Sequence, residues 1–88
     1  MNPLAAEMVK RPCAFILHIT DPVETLRKLA LFFQDRKIMI DTMNMHRYRD
    51  GDANLVIHCQ IEKDRIARTV QLMEELPGIM KLARMEGK

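Results

Sequence analysis

The sequence predicts an α+β domain in which four strands and two helices follow one another in the order β-α-β-β-α-β. Three observations predict it. An alternating apolar run over residues 13–20 breaks at Asp21-Pro22, two strand patterns flank Asp50-Gly51-Asp52, and a stretch with helical apolar spacing follows both the first and the third strand.

In the first strand Cys13, Phe15, Leu17 and Ile19 share one face and Ala14, Ile16, His18 and Thr20 the other, because successive side chains alternate across a sheet. The odd face is the core face. Asp21 then stands where an N-cap belongs, Pro22 at the first helical position, and Glu24 three residues after the cap, as in a capping box. Leu26, Leu29, Ala30 and Phe33 give the helix an apolar stripe, which Phe32 widens.

Residues 38–49 and 53–62 read as a hairpin, with the Asp-Gly step supplying the positive φ angles of the turn. Leu55, Ile57, Cys59 and Ile61 form an alternating core face on the third strand. On the second strand the period slips: Ile38 and Ile40 point inward by one phase, Met43 and Met45 by the other, which places a bulge near Asp41-Thr42. Ile66, Ala67, Val70, Met73 and Leu76 form the second amphipathic helix, stopped by Pro77-Gly78, and residues 79–85 make a short last strand. Residues 1–12 show no period and are expected to be a flexible N-terminal tail, leaving residues 13–88 as one domain.

Burial of these stripes requires a two-layer, ferredoxin-like sandwich: a four-stranded antiparallel sheet with both helices on one face. Right-handed crossovers place the first and third strands in its centre. A chain of 88 residues buries only about 60–65% of its unfolded surface, so association with a copy of itself or another subunit is expected.

The net charge of +2 is spread along the chain, which argues against a nucleic-acid or membrane partner. Cys13 and Cys59 fall inside strands, where they read as buried small hydrophobes, and no signal peptide is visible, so a reducing cytoplasm is expected. No apolar run approaches the roughly 20 residues that cross a bilayer.

The fold hosts many functions, so the sites decide. An RNA-recognition module would carry stacking aromatics on the third strand, which reads Asn54-Leu55-Val56-Ile57-His58-Cys59. The basic-aromatic patch His46-Arg47-Tyr48-Arg49 reads as a solvated hairpin end, offset by the carboxylates of the turn. A copper carrier would need two cysteines in the first loop, and an acylphosphatase a glycine-rich loop with an arginine there; Thr20-Asp21-Pro22-Val23 offers neither. His18, His46 and His58 should all project from the face away from the helices, either toward a shared metal or, as the lack of carboxylate or cysteine companions favours, against another subunit. With no serine in the chain and Asp21 and Asp64 read as helix-start residues, no catalytic set can be assembled, and a non-enzyme is expected.

Three segments then carry a resemblance. Thr20-Asp21-Pro22-Val23-Glu24-Thr25-Leu26, the helix end Leu31-Phe32-Phe33-Gln34-Asp35-Arg36, and the strand Ile38-Met39-Ile40-Asp41-Thr42-Met43-Asn44-Met45 together resemble an ACT domain. More narrowly, the chain is similar to the short regulatory subunits of acetolactate synthase in branched-chain amino-acid biosynthesis, over residues 13 to about 86. The resemblance implies a non-catalytic subunit that activates a large catalytic subunit, which itself carries the thiamine diphosphate. It implies a homodimer joined through the edge of the second strand, with a small amino acid as effector at the seam.

Carried onto this chain, the effector contacts are Asp21, Pro22, Val23 and Glu24 from one copy and Met39, Ile40 and Asp41 from the other. Free N–H groups at the helix start would attract the ligand's carboxylate. Amino-acid-binding ACT domains usually have a Pro-Gly pair in this loop, whereas this chain has Pro22-Val23-Glu24. Glu24, as a capping-box residue, would place a negative charge there and occupy an N–H, so weak or absent valine control is expected, as in valine-insensitive isozymes. The alternative is a free-standing ACT domain that senses a small amino acid or other small ligand for another enzyme, and a third reading is a module that only dimerises.

Overall fold

A computed structural model describes residues 9–86 as β1 (Lys10–Ile19), α1 (Pro22–Asp35), β2 (Met39–Arg47), β3 (Ala53–Glu62), a 3-10 turn (Lys63–Arg65), α2 (Ile66–Glu74) and β4 (Ile79–Glu86). The strand order is β2-β3-β1-β4, all antiparallel, so the first and third strands are central and β2 and β4 form the edges. This is the ferredoxin-like α+β sandwich the sequence predicts.

The expectation of a tail over residues 1–12 lies mostly outside the described residues, but β1 begins three residues earlier than expected. Lys10, Arg11 and Pro12 pair with Glu62, Ile61 and Gln60. Proline falls at the start of the strand, before the stretch that β4 flanks from Cys13 onward, where a missing donor is best tolerated.

Alternation sets the core. Phe15, Leu17 and Ile19 of β1 and Leu55, Ile57, Cys59 and Ile61 of β3 are fully buried under the helices, where Phe15 and Phe33 pack with ring centroids 6.2 Å apart. Cys13 and Cys59 lie directly opposite each other in this layer as free thiols. Burial pushes both thiols up, Cys59 to about 12. The slip in β2 is present: Ile40 pairs with Cys59 and Thr42 with His58, leaving Asp41 as the extra residue.

Both helices are turned relative to the predicted stripes. Ala30 and Ala67, expected in the core, are exposed, and Thr25 and Thr69 are buried instead. An alanine contributes little apolar area, so Leu29, Phe32 and Phe33 orient α1 and Ile66 and Met73 orient α2. The hydroxyl of Thr25 is satisfied by donating to Thr20 O at 2.5 Å, which removes the cost of burying it. Met45, expected in the core, is exposed because it lies near the end of an edge strand that the helices do not cover.

α1 ends in a Schellman motif. Ile38 N donates to Phe33 O at 3.0 Å and Lys37 N to Gln34 O at 3.1 Å, with Lys37 in the left-handed region at φ 55°. The hairpin loop is longer than expected, running from Tyr48 to Asp52. It closes by Tyr48 N donating to Asp52 O at 2.8 Å, with Gly51 at φ 97°.

Candidate functional site

The loop between β1 and α1 is held by three contacts that converge on one point. Thr20 N donates to Gly78 O at 2.8 Å, Thr25 Oγ1 donates to Thr20 O, and Gly78 at φ 96° lies so close to Thr25 that a Cβ there would collide with its side chain. Only glycine leaves room for this approach. The start of β4 is thereby tied to the loop that carries the predicted effector contacts.

The capping box is absent. Asp21 is the N-cap residue but adopts φ 46°, ψ 65°, and its side chain makes no capping bond. Asp is one of the few residues that visits this left-handed region. Glu24 turns away from the cap to Arg27, which donates to it from Nη2 at 2.5 Å and from Nε at 3.1 Å. That hydrogen bond holds the Glu24 carboxyl below its ordinary value. The expectation that Glu24 occupies a first-turn N–H is therefore corrected. The N–H groups of Val23 and Glu24 have no intrahelical acceptor, and Val23 projects into solvent. What replaces the usual glycine is thus a neutralised ion pair beside the helix start and one exposed apolar side chain.

Pro22 is buried and Asp21 exposed. At the other half of the predicted site, Met39 is exposed, Ile40 partly buried, and Asp41 Oδ2 accepts from Gln60 Nε2 at 2.9 Å. One chain does not bring the two halves together. The loop lies where Ile19 pairs with Ala53, whereas Met39 pairs with Gln60 at the far end of the sheet. The 14 residues of α1 span the gap, about 21 Å at the usual helical rise.

On the sheet face away from the helices, His18 and His46 flank Asn54 in one row, while His58 pairs with Ala14 and Thr42, four residues further along β3. Among the described residues no three His, Cys, Asp or Glu side chains converge as metal ligands. Tyr48 fills the space between the two neighbouring histidines, with centroids 6.1 Å from His18 and 5.2 Å from His46. His18 Nε2 donates to Asp52 Oδ2 at 3.1 Å, and Asn54 Nδ2 donates to the Tyr48 hydroxyl.

Among the described residues the turn carboxylates form no direct ion pair with Arg47 or Arg49: Asp52 is engaged by His18, and Asp50 Oδ1 accepts from Asp52 N at 2.9 Å. The sequence reading missed this His-Tyr-Asp cluster because it depends on cross-strand register. The pairing of His18 with Asn54 and of Asn54 with His46 was the available signal.

With this geometry in place, the chain can be set beside known proteins. Sequence comparison finds no matching family model and no matching curated protein. Structure comparison finds the fold repeatedly. The ACT domain of GTP pyrophosphokinase from Chlorobium tepidum superimposes with a TM-score of 0.72 at 10% identity, covering 86% of this chain and 99% of that one. A homoserine dehydrogenase from Thiobacillus denitrificans gives 0.73 at 17% identity over 92% of this chain, which spans 18% of the enzyme. The C-terminal domain of the MgtC protein from Mycobacterium tuberculosis gives 0.69 at 13% identity, covering 92% of this chain and 90% of that domain. At these identities the likeness is one of fold: the chain has the fold of an ACT domain. Among the described residues no helix is long and apolar enough to cross a membrane.

Proposed function

We propose that this chain is a non-catalytic regulatory subunit that binds and activates the large, thiamine-diphosphate-dependent catalytic subunit of acetolactate synthase in the cytoplasm. The choice of enzyme rests on the sequence resemblance at residues 20–26, 31–36 and 38–45. The observation that carries the regulatory part is that the two halves of the predicted effector site lie at opposite ends of one chain, with β2 at an open sheet edge. Antiparallel pairing of β2 with the β2 of a second copy would set Met39, Ile40 and Asp41 of that copy beside the end of β2 at Arg47. Arg47 pairs with Ala53, which pairs with Ile19, so this is the end where the β1–α1 loop lies. A dimer through β2 would therefore complete a site that a monomer cannot.

The open first-turn N–H groups also support the second reading, a free-standing sensor of a small amino acid. Size-exclusion chromatography with light scattering separates the two. The first reading expects a homodimer that co-elutes with the purified large subunit. The sensor reading expects a dimer that ignores the large subunit and melts at a higher temperature with saturating amino acid. A monomer in solution would remove the basis for both.

A further inference from the structure

The outer surface of the helical layer carries a groove that the effector site does not use. Between α1 and α2 an open cleft of about 460 Å3 has a floor of Leu31, Phe32, Leu72 and Leu76, with Leu31 45% exposed. It runs, through the shared residues Arg36 and Leu72, into a second cleft of about 250 Å3 at the start of α2, lined by Arg36, Arg65 and Arg68. The walls of the first cleft balance in charge, Lys28 and Arg36 against Asp35 and Glu75. The second does not: Asp64 is the one carboxylate lining it, against three guanidiniums.

The arginines are held in place. Arg36 stacks on the Phe32 ring at 3.8 Å, and its backbone carbonyl accepts from Arg65 Nη2 at 2.9 Å. Arg65 also pairs with Glu62 at 3.0 Å, and Arg68 Nη1 donates to Gln71 Oε1 at 3.0 Å. Neither Arg36 nor Arg68 makes an ion pair among the described residues.

We propose that this groove docks an acidic segment of the partner enzyme, seating one apolar side chain against Leu31, Leu72 and Leu76 and laying a carboxylate against Arg36 and Arg68. The proposal rests on the regulatory-subunit reading above. Two arguments select this occupant. Both clefts lie open along one side, whereas a small-molecule site encloses most of its ligand. A second copy of the chain placed on the groove about a two-fold axis would bring the arginine clusters of both copies into one interface, and like charges there are costly. An acidic partner meets the guanidinium forks in their preferred geometry.

The test is calorimetric titration of the full chain into the purified large subunit, at low and high salt. The double variant Arg36→Glu/Arg68→Glu is expected to weaken association at least about ten-fold and to reduce its salt dependence. Leu31→Asn, an uncharged change at an exposed position, is expected to weaken it without altering the salt dependence. Circular dichroism and the homodimer elution volume should be unchanged in both. Wild-type affinity in all variants would overturn the groove while leaving the regulatory reading standing, and no association of the wild-type chain would overturn both. Saturable binding of inorganic phosphate that the arginine variant abolishes, with association intact, would assign the cluster to a small anion and likewise overturn the docking proposal.

Discussion

Replacement of Gly78 by alanine tests the physical account of the β1–α1 loop. At φ 96° an alanine is strained by about 1–2 kcal/mol. The new methyl would also meet the Thr25 hydroxyl, Thr25 Cγ2 at 3.1 Å and Thr20 O at 3.2 Å. Those groups form the latch of the loop, so they can yield only by breaking the Thr25-to-Thr20 hydrogen bond or moving the helix start, an overpacking cost of about 1–3 kcal/mol. Loss of glycine's freedom in the unfolded chain returns about 0.4–1 kcal/mol. The expected net loss is about 2–4 kcal/mol, a large share of the roughly 4–13 kcal/mol that a domain of this length possesses.

Gly51→Ala is the internal control, because Gly51 has nearly the same φ, 97°, and nothing within 4 Å of its added Cβ. That variant should lose only the strain, about 1 kcal/mol after the unfolded-state return. Urea unfolding of both variants at low temperature gives the comparison. Equal losses would refute the claim that close approach to Thr25, rather than backbone conformation alone, fixes Gly78.

Other expectations follow from the same structure. Lys37→Gly should stabilise the protein by about 0.5–1 kcal/mol, or a few degrees in Tm, because the Schellman position then carries no Cβ at positive φ. Thr25→Val keeps the shape but leaves Thr20 O without its buried donor and should cost about 1–2 kcal/mol, read in the same urea experiment. The thiols predict alkaline destabilisation. Their folded pKa values are raised, so the unfolded chain loses these protons first and stability falls as pH climbs from the ordinary thiol value of 9.0 toward about 12 for Cys59. The slope should approach about 1.4 kcal/mol per pH unit for each titrating thiol, and Cys59→Ala should reduce it.

Much of the fold was legible because period-2 and period-3.6 apolar patterns are local properties of the chain. The β2 bulge was readable for the same reason, since a change of phase between Ile40 and Met43 has no other simple cause. The helix orientations were misread at Ala30 and Ala67, because hydrophobic spacing counts an alanine as it counts a phenylalanine, while burial depends on area. The capping box failed at Asp21 and Glu24 for a different reason. The motif specifies which bonds are possible, but Arg27, one turn on, competes for the Glu24 carboxylate, and contacts at Gly78 fix the loop in a conformation the motif does not use. The histidine cluster and the arginine cleft depend on register and helix packing, which bring together residues 34 and 29 positions apart in the chain.

The absence of a capping role for Glu24 also bears on valine. Its charge is compensated by Arg27, so electrostatic repulsion of an incoming carboxylate is weaker than the sequence implied. On the regulatory-subunit reading proposed above, Val23 is then the principal departure from the glycine-containing loops, and Val23→Gly is expected to increase inhibition by millimolar valine in the acetolactate assay.

The most direct test of the central proposal is acetolactate formation by the purified large subunit of the same organism, with and without this protein and with and without millimolar valine. The account predicts activation on adding the chain and little change in the activated rate when valine is present. An unchanged rate, together with failure to co-elute, would contradict it.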